Sequence, residues 1–141
     1  MASLTFQGCP IVRGAAKGTI LISPEPLSFW GGYDFESGEI TDRRHPLSGQ
    51  IAANKILGVP FSRGSSTTTA VLLEAVRAGT APAAILTTEN DSFFALAAIV
   101  ARKLYDASLP IVMLTPKEYA QLKSGDWVQI SEDGWITVIR Q

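Results

Sequence analysis

The chain has 141 residues, of which 46% are hydrophobic and 18% charged, and its formal net charge is −1. This size and composition predict one soluble domain over residues 1–141, without the basic stripe that gathers phosphates along a nucleic acid. No stretch approaches the roughly 20 apolar residues of a membrane span, so neither a nucleic-acid nor a membrane function is expected.

Cysteine and histidine are scarce, with Cys9 and His45 as the single examples. One cysteine excludes an internal disulfide and is typical of a cytoplasmic protein, and we expect it to be a small buried side chain. These two residues are too few for a zinc site or an iron–sulfur cluster held by this chain alone. Any metal in the protein's chemistry would therefore be held mainly by another chain.

The first half of the chain is rich in glycine and proline. Short strands are predicted at residues 11–12 and 19–22. Residues 23–49 then carry mostly turn chemistry, but they also contain seven large apolar side chains. A segment with that much apolar surface is not expected to be disordered. We therefore predict an ordered, functional long loop over residues 23–49.

The second half alternates strands with helices. Each helix is indicated by apolar side chains at helical spacing, and the final hairpin by a Glu-Asp-Gly turn. The predicted strands are 55–59, 83–86, 111–114, 126–130 and 135–139, and the predicted helices are 66–78, 91–105 and 115–122. This alternation indicates an α/β fold in which the first half adds a further β layer.

The strongest local signal lies between a predicted strand and the helix that follows it. Five hydroxyl residues in a row, 65–69, begin that helix, although one serine suffices for an N-cap and each threonine lowers helix propensity. Unused hydroxyls and free amides at the positive end of a helix favour an anion. Gly64 allows close approach, and Arg63 offers a forked donor for a carboxylate or phosphate. A well-capped helix with a polar first turn remains the alternative.

A serine in this position also suits the role of a base. Its alkoxide needs backbone N–H donors and a nearby cation, as an oxyanion hole provides. The sequence places no histidine or aspartate beside Ser65, so it does not support a hydrolase triad.

These residues carry a family resemblance. Gly64-Ser65-Ser66 resembles the serine loop of the swivel domain in the aconitase superfamily. More specific is the combination of Pro-Leu-Ser-Phe-Trp-Gly-Gly-Tyr-Asp at 26–34 with Arg-Gly-Ser-Ser at 63–66 and Gly-Thr-Ala-Pro-Ala at 79–83. With these motifs, residues 8–110 resemble the aconitase X swivel domain.

The resemblance implies a single compact swivelling domain of β/β/α type, which closes over an active site built mainly by a large subunit. It implies a dehydratase, a hydro-lyase acting on a small hydroxy acid, that is inactive without that subunit. An iron or iron–sulfur centre would belong to the large subunit, with none bound by this chain alone. Ser65 would be the catalytic base, with Ser66 as the alternative, and the substrate would contact Arg63, Gly64, Ser66 and Thr67.

The resemblance also bears on the substrate. Ordinary aconitases have Arg-Glu-His after the serines, whereas this chain has Thr67-Thr68-Thr69, so tricarboxylic substrates are not expected. The aconitase X branches act on cis-3-hydroxy-L-proline or on phosphomevalonate. The low charge content is unlike that of hyperthermophilic proteins and so argues against the archaeal branch, which acts on phosphomevalonate. The residues of the serine segment also favour the bacterial branch, so hydroxyproline is the preferred substrate and phosphomevalonate the alternative. A free-standing module that holds a small anion without chemistry is the alternative from another class.

Residues of the long loop are weaker candidates. Trp30, Gly31 and Gly32 suit a wall or lid over substrate, but an aromatic plug that fixes the long loop is slightly favoured. Asp34 is expected to shape a turn, as is Asp42, rather than to act on substrate directly. His45 is expected at the surface or in a subunit contact, with a place at the mouth of the active site as the alternative.

Overall fold

The computed structural model describes residues 2–140, and within this range it has eight strands and three helices. In chain order they are β1 (Ala2–Gln7), β2 (Cys9–Val12), β3 (Ala16–Ile22), β4 (Ile56–Gly58), α1 (Thr67–Ala78), β5 (Ala84–Thr87), α2 (Ser92–Tyr105), β6 (Ile111–Met113), α3 (Pro116–Tyr119), β7 (Trp127–Ile130) and β8 (Trp135–Arg140).

The strands form one mixed sheet in the order β1-β8-β7-β3-β4-β5-β6-β2. The four central strands β3, β4, β5 and β6 run parallel to one another. On one side β7, β8 and β1 continue the sheet with antiparallel pairing, and on the other side β2 pairs antiparallel with β6.

Two apolar cores cover the two faces of the parallel strands. Adjacent side chains of a strand point to opposite faces, and accordingly Ile56 belongs to one core and Leu57 to the other. The core around Leu57 includes side chains of α1, α2 and the long loop. The core around Ile56 includes side chains of β1, β7 and β8, which pack over the opposite face. The predicted β/β/α layering in one compact domain is therefore confirmed.

The predicted elements of the second half are present, with ends that shift by a few residues. The first half shows two differences: β1 was not predicted, and β3 begins at Ala16 and runs through Gly18. The segment after Ala2 alternates polar residues with Leu4 and Phe6, a period of two that identifies a half-buried strand. Glycine at position 18 does not interrupt β3, because the strand is paired there with β7.

The long loop is ordered, as predicted, and it closes the helical face of the sheet. Its side chains Leu27, Phe29, Tyr33 and Ile40 are buried. The ring of Phe29 lies 5.3 Å from that of Tyr33 and 5.6 Å from that of Phe94 on α2, measured between centroids. The loop is thus part of the core and not an appendage.

Cys9 is exposed, so the prediction of a buried cysteine was wrong. The residue begins β2, which is the last strand of the sheet and pairs on one side only, with β6. No helix within residues 2–140 is long and apolar enough to cross a membrane.

The parallel strands bring four chain segments to one edge of the sheet. The segments that follow β3, β4, β5 and β6 begin at Ser23, Val59, Thr88 and Leu114. Sites in open α/β sheets lie at this carboxyl edge of the strands. The predicted serine segment follows β4 and therefore lies there.

Candidate active site

The serine loop, residues 62–67, joins β4 to the first turn of α1. Gly64 has a φ of +137°, a conformation that other residues rarely adopt, and it turns the chain into the helix. Ser65 and Ser66 are exposed, and Thr67 is half-buried. The amide of Thr68 donates to the carbonyl oxygen of Ser65 at 2.9 Å and begins the helical pattern.

Three amides at the start of α1 form no hydrogen bond within the described residues. Among the described residues, no acceptor lies within hydrogen-bond distance of the amide nitrogens of Ser65, Ser66 and Thr67. Ser66 occupies the N-cap position, but its side chain makes no capping bond. Ser66 therefore does not cap α1, and a ligand-binding role of this segment stays a prediction. The free amides and the positive end of the helix suit a carboxylate or a developing alkoxide.

The hydroxyl groups of the segment divide into two sets. Ser65 Oγ lies 3.3 Å from Thr67 Oγ1, and these hydroxyls with that of Ser66 belong to the accessible part of the loop. Thr68 and Thr69 are buried, and Thr69 Oγ1 donates to the carbonyl oxygen of Phe93 on α2 at 3.0 Å. Three hydroxyls remain available for a ligand, not the five that the sequence offers.

One carboxylate fixes the start of the serine loop. Asp91 Oδ2 accepts from both the amide and the hydroxyl of Ser62, each at 2.7 Å. Asp91 Oδ1 accepts from the amides of Phe93 and Phe94 at 3.0 and 3.1 Å and so caps α2. The sequence indicated the cap but not the bond to Ser62, because the two residues lie 29 positions apart.

The loop also contacts the long loop. The amide of Arg63 donates to the carbonyl oxygen of Leu27 at 3.0 Å, while the Arg63 side chain is exposed. Within residues 2–140 its guanidinium forms no ion pair, so it is available for an anion.

Trp30 lies near this contact. It is three residues from Leu27, so the two Cα atoms are at most roughly 11 Å apart. The Trp30 side chain is 71% exposed, so the favoured prediction of an aromatic plug is wrong for this residue, and its neighbour Phe29 fills the core instead. A hollow of about 210 Å³ lies beside the indole ring, lined by Ser28, Trp30, Gly31, Gly32 and Asp42.

Comparison with known proteins agrees with this architecture. The family model described as the aconitase X swivel domain matches residues 5–138. The chain belongs to the aconitase X swivel domain family.

Relatives and a solved structure support the same assignment. The chain is 45% identical over 122 residues, 86% of its length, to cis-3-hydroxy-L-proline dehydratase of Pseudomonas aeruginosa, but it spans only about a fifth (21%) of that relative. It is 34% identical to phosphomevalonate dehydratase small subunit of Methanosarcina acetivorans, with 99% of this chain and 94% of the relative covered. The crystal structure of Thermococcus kodakaraensis aconitase X matches with a TM-score of 0.85 at 32% identity, covering 97% of this chain and 99% of the other.

Two acidic residues of the swivel domain shape turns, as predicted. The carboxylate of Asp34 accepts from the amide of Glu36 at 2.9 Å and from the hydroxyl of Ser37 at 3.0 Å. That of Asp42 accepts from the amide of Arg44 at 3.0 Å. Both side chains thus hold the long loop in shape.

His45 is buried in the swivel domain, so the prediction of a surface position was wrong. The amide of Leu47 donates to its Nδ1 at 3.1 Å, which places the proton of the neutral ring on Nε2. Nε2 lies 3.5 Å from Ser23 Oγ, at the end of β3. The histidine therefore fastens the long loop to the carboxyl edge of the sheet.

A cleft of about 680 Å³ at the same edge was not predicted. Its walls include the residues that follow all four parallel strands, namely Ser23, Pro60, Thr88 and Pro116. Burial raises the pKa of the Tyr119 phenol well above its ordinary value, so in the cleft wall it remains a donor, to the carbonyl oxygen of Ser23. None of the predicted site residues lines the cleft. The sequence signal that could have predicted this cleft is the proline or polar residue that follows each of the four parallel strands.

The residues of the swivel domain do not fit a metal centre. Within residues 2–140 no three His, Cys, Asp or Glu side chains come close enough together to hold an ion. Both ring nitrogens of His45 face protein groups, and Cys9 stands on the edge strand β2.

Proposed function

We propose that this chain is the small subunit of an aconitase X-type dehydratase and that Ser65 is its catalytic base. The observation that carries the proposal is the exposed Ser65 beside unpaired amides, with Arg63 free of ion pairs, in a chain of the aconitase X swivel family. A serine needs such surroundings to act as a base, because its alkoxide is otherwise too unstable.

The proposed step is a proton transfer to Ser65. Its alkoxide oxygen takes the proton from the carbon next to the one that bears the leaving hydroxyl. The electrons of that C–H bond form the double bond as the C–O bond breaks, and the C–O electron pair leaves with the hydroxide. The proton that Ser65 took then passes to this hydroxide through solvent, which completes the water and regenerates the alkoxide. The amides of Ser66 and Thr67 and the Arg63 guanidinium stabilise the alkoxide and bind the substrate carboxylate, which Gly64 allows to approach the backbone.

We propose cis-3-hydroxy-L-proline as the substrate. The higher identity, 45% against 34%, to the relative that bears this substrate's name supports it. Phosphomevalonate is the second candidate, since the relatives of nearly the same length as this chain are named for it.

The proposal requires a partner. A large subunit would hold the iron or iron–sulfur centre, because this chain's described residues do not fit one. The exposed Trp30 supports a surface that another chain covers, and Trp30 with Gly31 and Gly32 would act as a lid. Asp34 and His45 would keep that lid in shape from within the loop. We place the assembled enzyme in the cytoplasm.

The test is a turnover assay on this chain mixed with its large subunit under anaerobic, iron-replete conditions. Cis-3-hydroxy-L-proline and phosphomevalonate are offered separately, to the mixture and to each subunit alone. Turnover of one substrate by the mixture only is the expected result. If the two chains form no complex and turn over neither substrate, the proposal is rejected.

Ser65→Ala tests the base. We expect kcat to fall by about 10³-fold, since general bases contribute on this order, while the complex still assembles. Ser66→Ala decides between the two serines, and Ser48→Ala, at an exposed serine of the long loop, is the control. Full turnover by the Ser65→Ala enzyme would exclude Ser65 as the base.

A binding module without chemistry is the other candidate, and the free amides of the serine loop favour it equally. It predicts that the chain binds a small carboxylate by itself. Calorimetry with free L-proline separates the two: binding by the isolated chain without any turnover in the mixture would favour the module.

A further inference from the structure

We infer that Asp91 is a positioning residue for the serine loop: its buried carboxylate holds Ser62, and through it Ser65, against the first turn of α2. This inference rests on the proposed function for its effect on turnover. The contact itself joins two segments that lie 29 residues apart and that follow neighbouring strands, β4 and β5.

The chemistry of this position requires a carboxylate. A helix cap needs one acceptor, which serine, threonine or asparagine also provides. Asp91 uses Oδ1 for that purpose, and its second oxygen accepts from two donors of Ser62 at 2.7 Å. An amide group in place of Oδ2 would face the Ser62 amide with a donor. Carboxylates also accept shorter and stronger hydrogen bonds than neutral groups do, and both bonds from Ser62 are 2.7 Å long.

The helix turn that follows the serine loop is fixed to the same part of α2. Thr69 Oγ1 donates to the carbonyl oxygen of Phe93, two residues after Asp91. The residues held by α2 are thus Ser62 and Thr69, and Gly64 to Ser66 lie between them. The first turn of α2 therefore supports the loop, and Asp91 bonds both to the amides of that turn and to Ser62 of the loop.

The position of Ser65 matters because most of the active site around the substrate would be built by another chain. A misplacement of about 1 Å between reacting groups costs on the order of 10²-fold in rate. If Asp91 releases Ser62, the loop keeps its chemical groups but loses its fixed place. We therefore expect kcat to fall while KM changes little.

The experiment compares Asp91→Asn and Asp91→Ser with wild type in the assembled enzyme. Both variants retain a capping oxygen for α2, and both lose the acceptor for the Ser62 amide. We expect kcat to fall at least about tenfold, with KM within about twofold. Ser62→Ala, which removes one of the two donors, should give a smaller loss.

Thr115→Ala is the matched control, because it removes a helix cap on α3 that makes no contact with the serine loop. It should lower the thermal midpoint without lowering kcat. Equal loss of kcat in Thr115→Ala and the Asp91 variants would overturn the inference, as would a kcat within twofold of wild type in both Asp91 variants. If Ser65→Ala is inactive and the Asp91 variants are normal, only this inference fails.

Amide exchange provides a readout that does not depend on turnover. In the full chain, the amide of Ser62 should exchange faster in Asp91→Asn than in wild type or Thr115→Ala, since its acceptor is lost. Unchanged exchange at Ser62 would overturn the inference even if neither substrate is turned over.

Discussion

Gly31 and Gly32 shape the turn that carries Trp30, each for a different reason. Gly31 has a φ of +77° and open space where a Cβ would lie, so only backbone strain opposes a side chain there. A Cβ on Gly32 would lie 2.1 Å from the carbonyl oxygen of Ser28, a contact that no rotamer relieves. The two positions therefore differ in what a methyl group would disturb.

This difference predicts two unequal losses of stability. Gly31→Ala should lower the free energy of unfolding by about 1 kcal/mol, as a left-handed alanine does. Gly32→Ala should lower it by about 3 kcal/mol, because the backbone of the turn must move. Urea denaturation measures both, with Gly49→Ala as the control for strain without a clash, since Gly49 has a φ of +84° and an open Cβ direction. Equal losses at positions 31 and 32 would show that the close approach to Ser28 is unimportant.

The three helices begin in different ways. α3 has a complete capping box, in which Thr115 Oγ1 accepts from the Glu118 amide at 3.1 Å and Glu118 Oε1 accepts from the Thr115 amide at 3.0 Å. α2 is capped by the carboxylate of Asp91. α1 has neither, although it begins with a serine. The helix that leaves its donors free is the one that follows the serine loop.

Thr115→Ala tests the structural cap by itself. Loss of the threonine oxygen should lower the free energy of unfolding by about 1 kcal/mol, because an amide of the first turn loses its acceptor. Chemical denaturation measures this change, and Thr115→Ser should restore most of it. A loss of only about 0.2 kcal/mol would show that packing of Tyr119, and not the cap, holds α3 in place.

The molecule as a whole is a mixed sheet with a core on each face of its parallel strands, and the long loop belongs to one of these cores. Phe29 is fully buried between Tyr33 and Phe94, whereas its neighbour Trp30 is exposed. Adjacent aromatic residues thus have opposite tasks: Phe29 packs against Phe94 of α2, and Trp30 faces outward.

These tasks predict opposite effects of two alanine substitutions. Phe29→Ala should lower the free energy of unfolding by about 4 kcal/mol, since it leaves a cavity in the core. Trp30→Ala should change it by less than about 0.5 kcal/mol, as exposed positions do, and should lower turnover of the assembled enzyme. Denaturation and steady-state kinetics measure the two effects. Normal turnover in Trp30→Ala would remove the residue from the proposed lid.

The sequence by itself determined three features: the strands and helices of the second half, the fact that the long loop is ordered and not disordered, and the place of the serine segment between β4 and α1. Local signals suffice for these features: apolar periodicity, turn residues and motif spacing all lie within short stretches of chain. The alternation of polar residues with Leu4 and Phe6 is a local signal of the same kind for β1.

Only the tertiary structure decided which polar side chains remain free. Thr69 and Asp91 look like ordinary helix-start residues in the sequence, yet the fold uses them to hold the serine loop to α2. His45 is buried and Cys9 is exposed, the reverse of what the sequence predicts. His45 is buried because the long loop folds back onto Ser23, and Cys9 is exposed because β2 lies at the sheet edge. Burial and hydrogen-bond partners depend on segments that are distant in the chain, so local composition does not specify them.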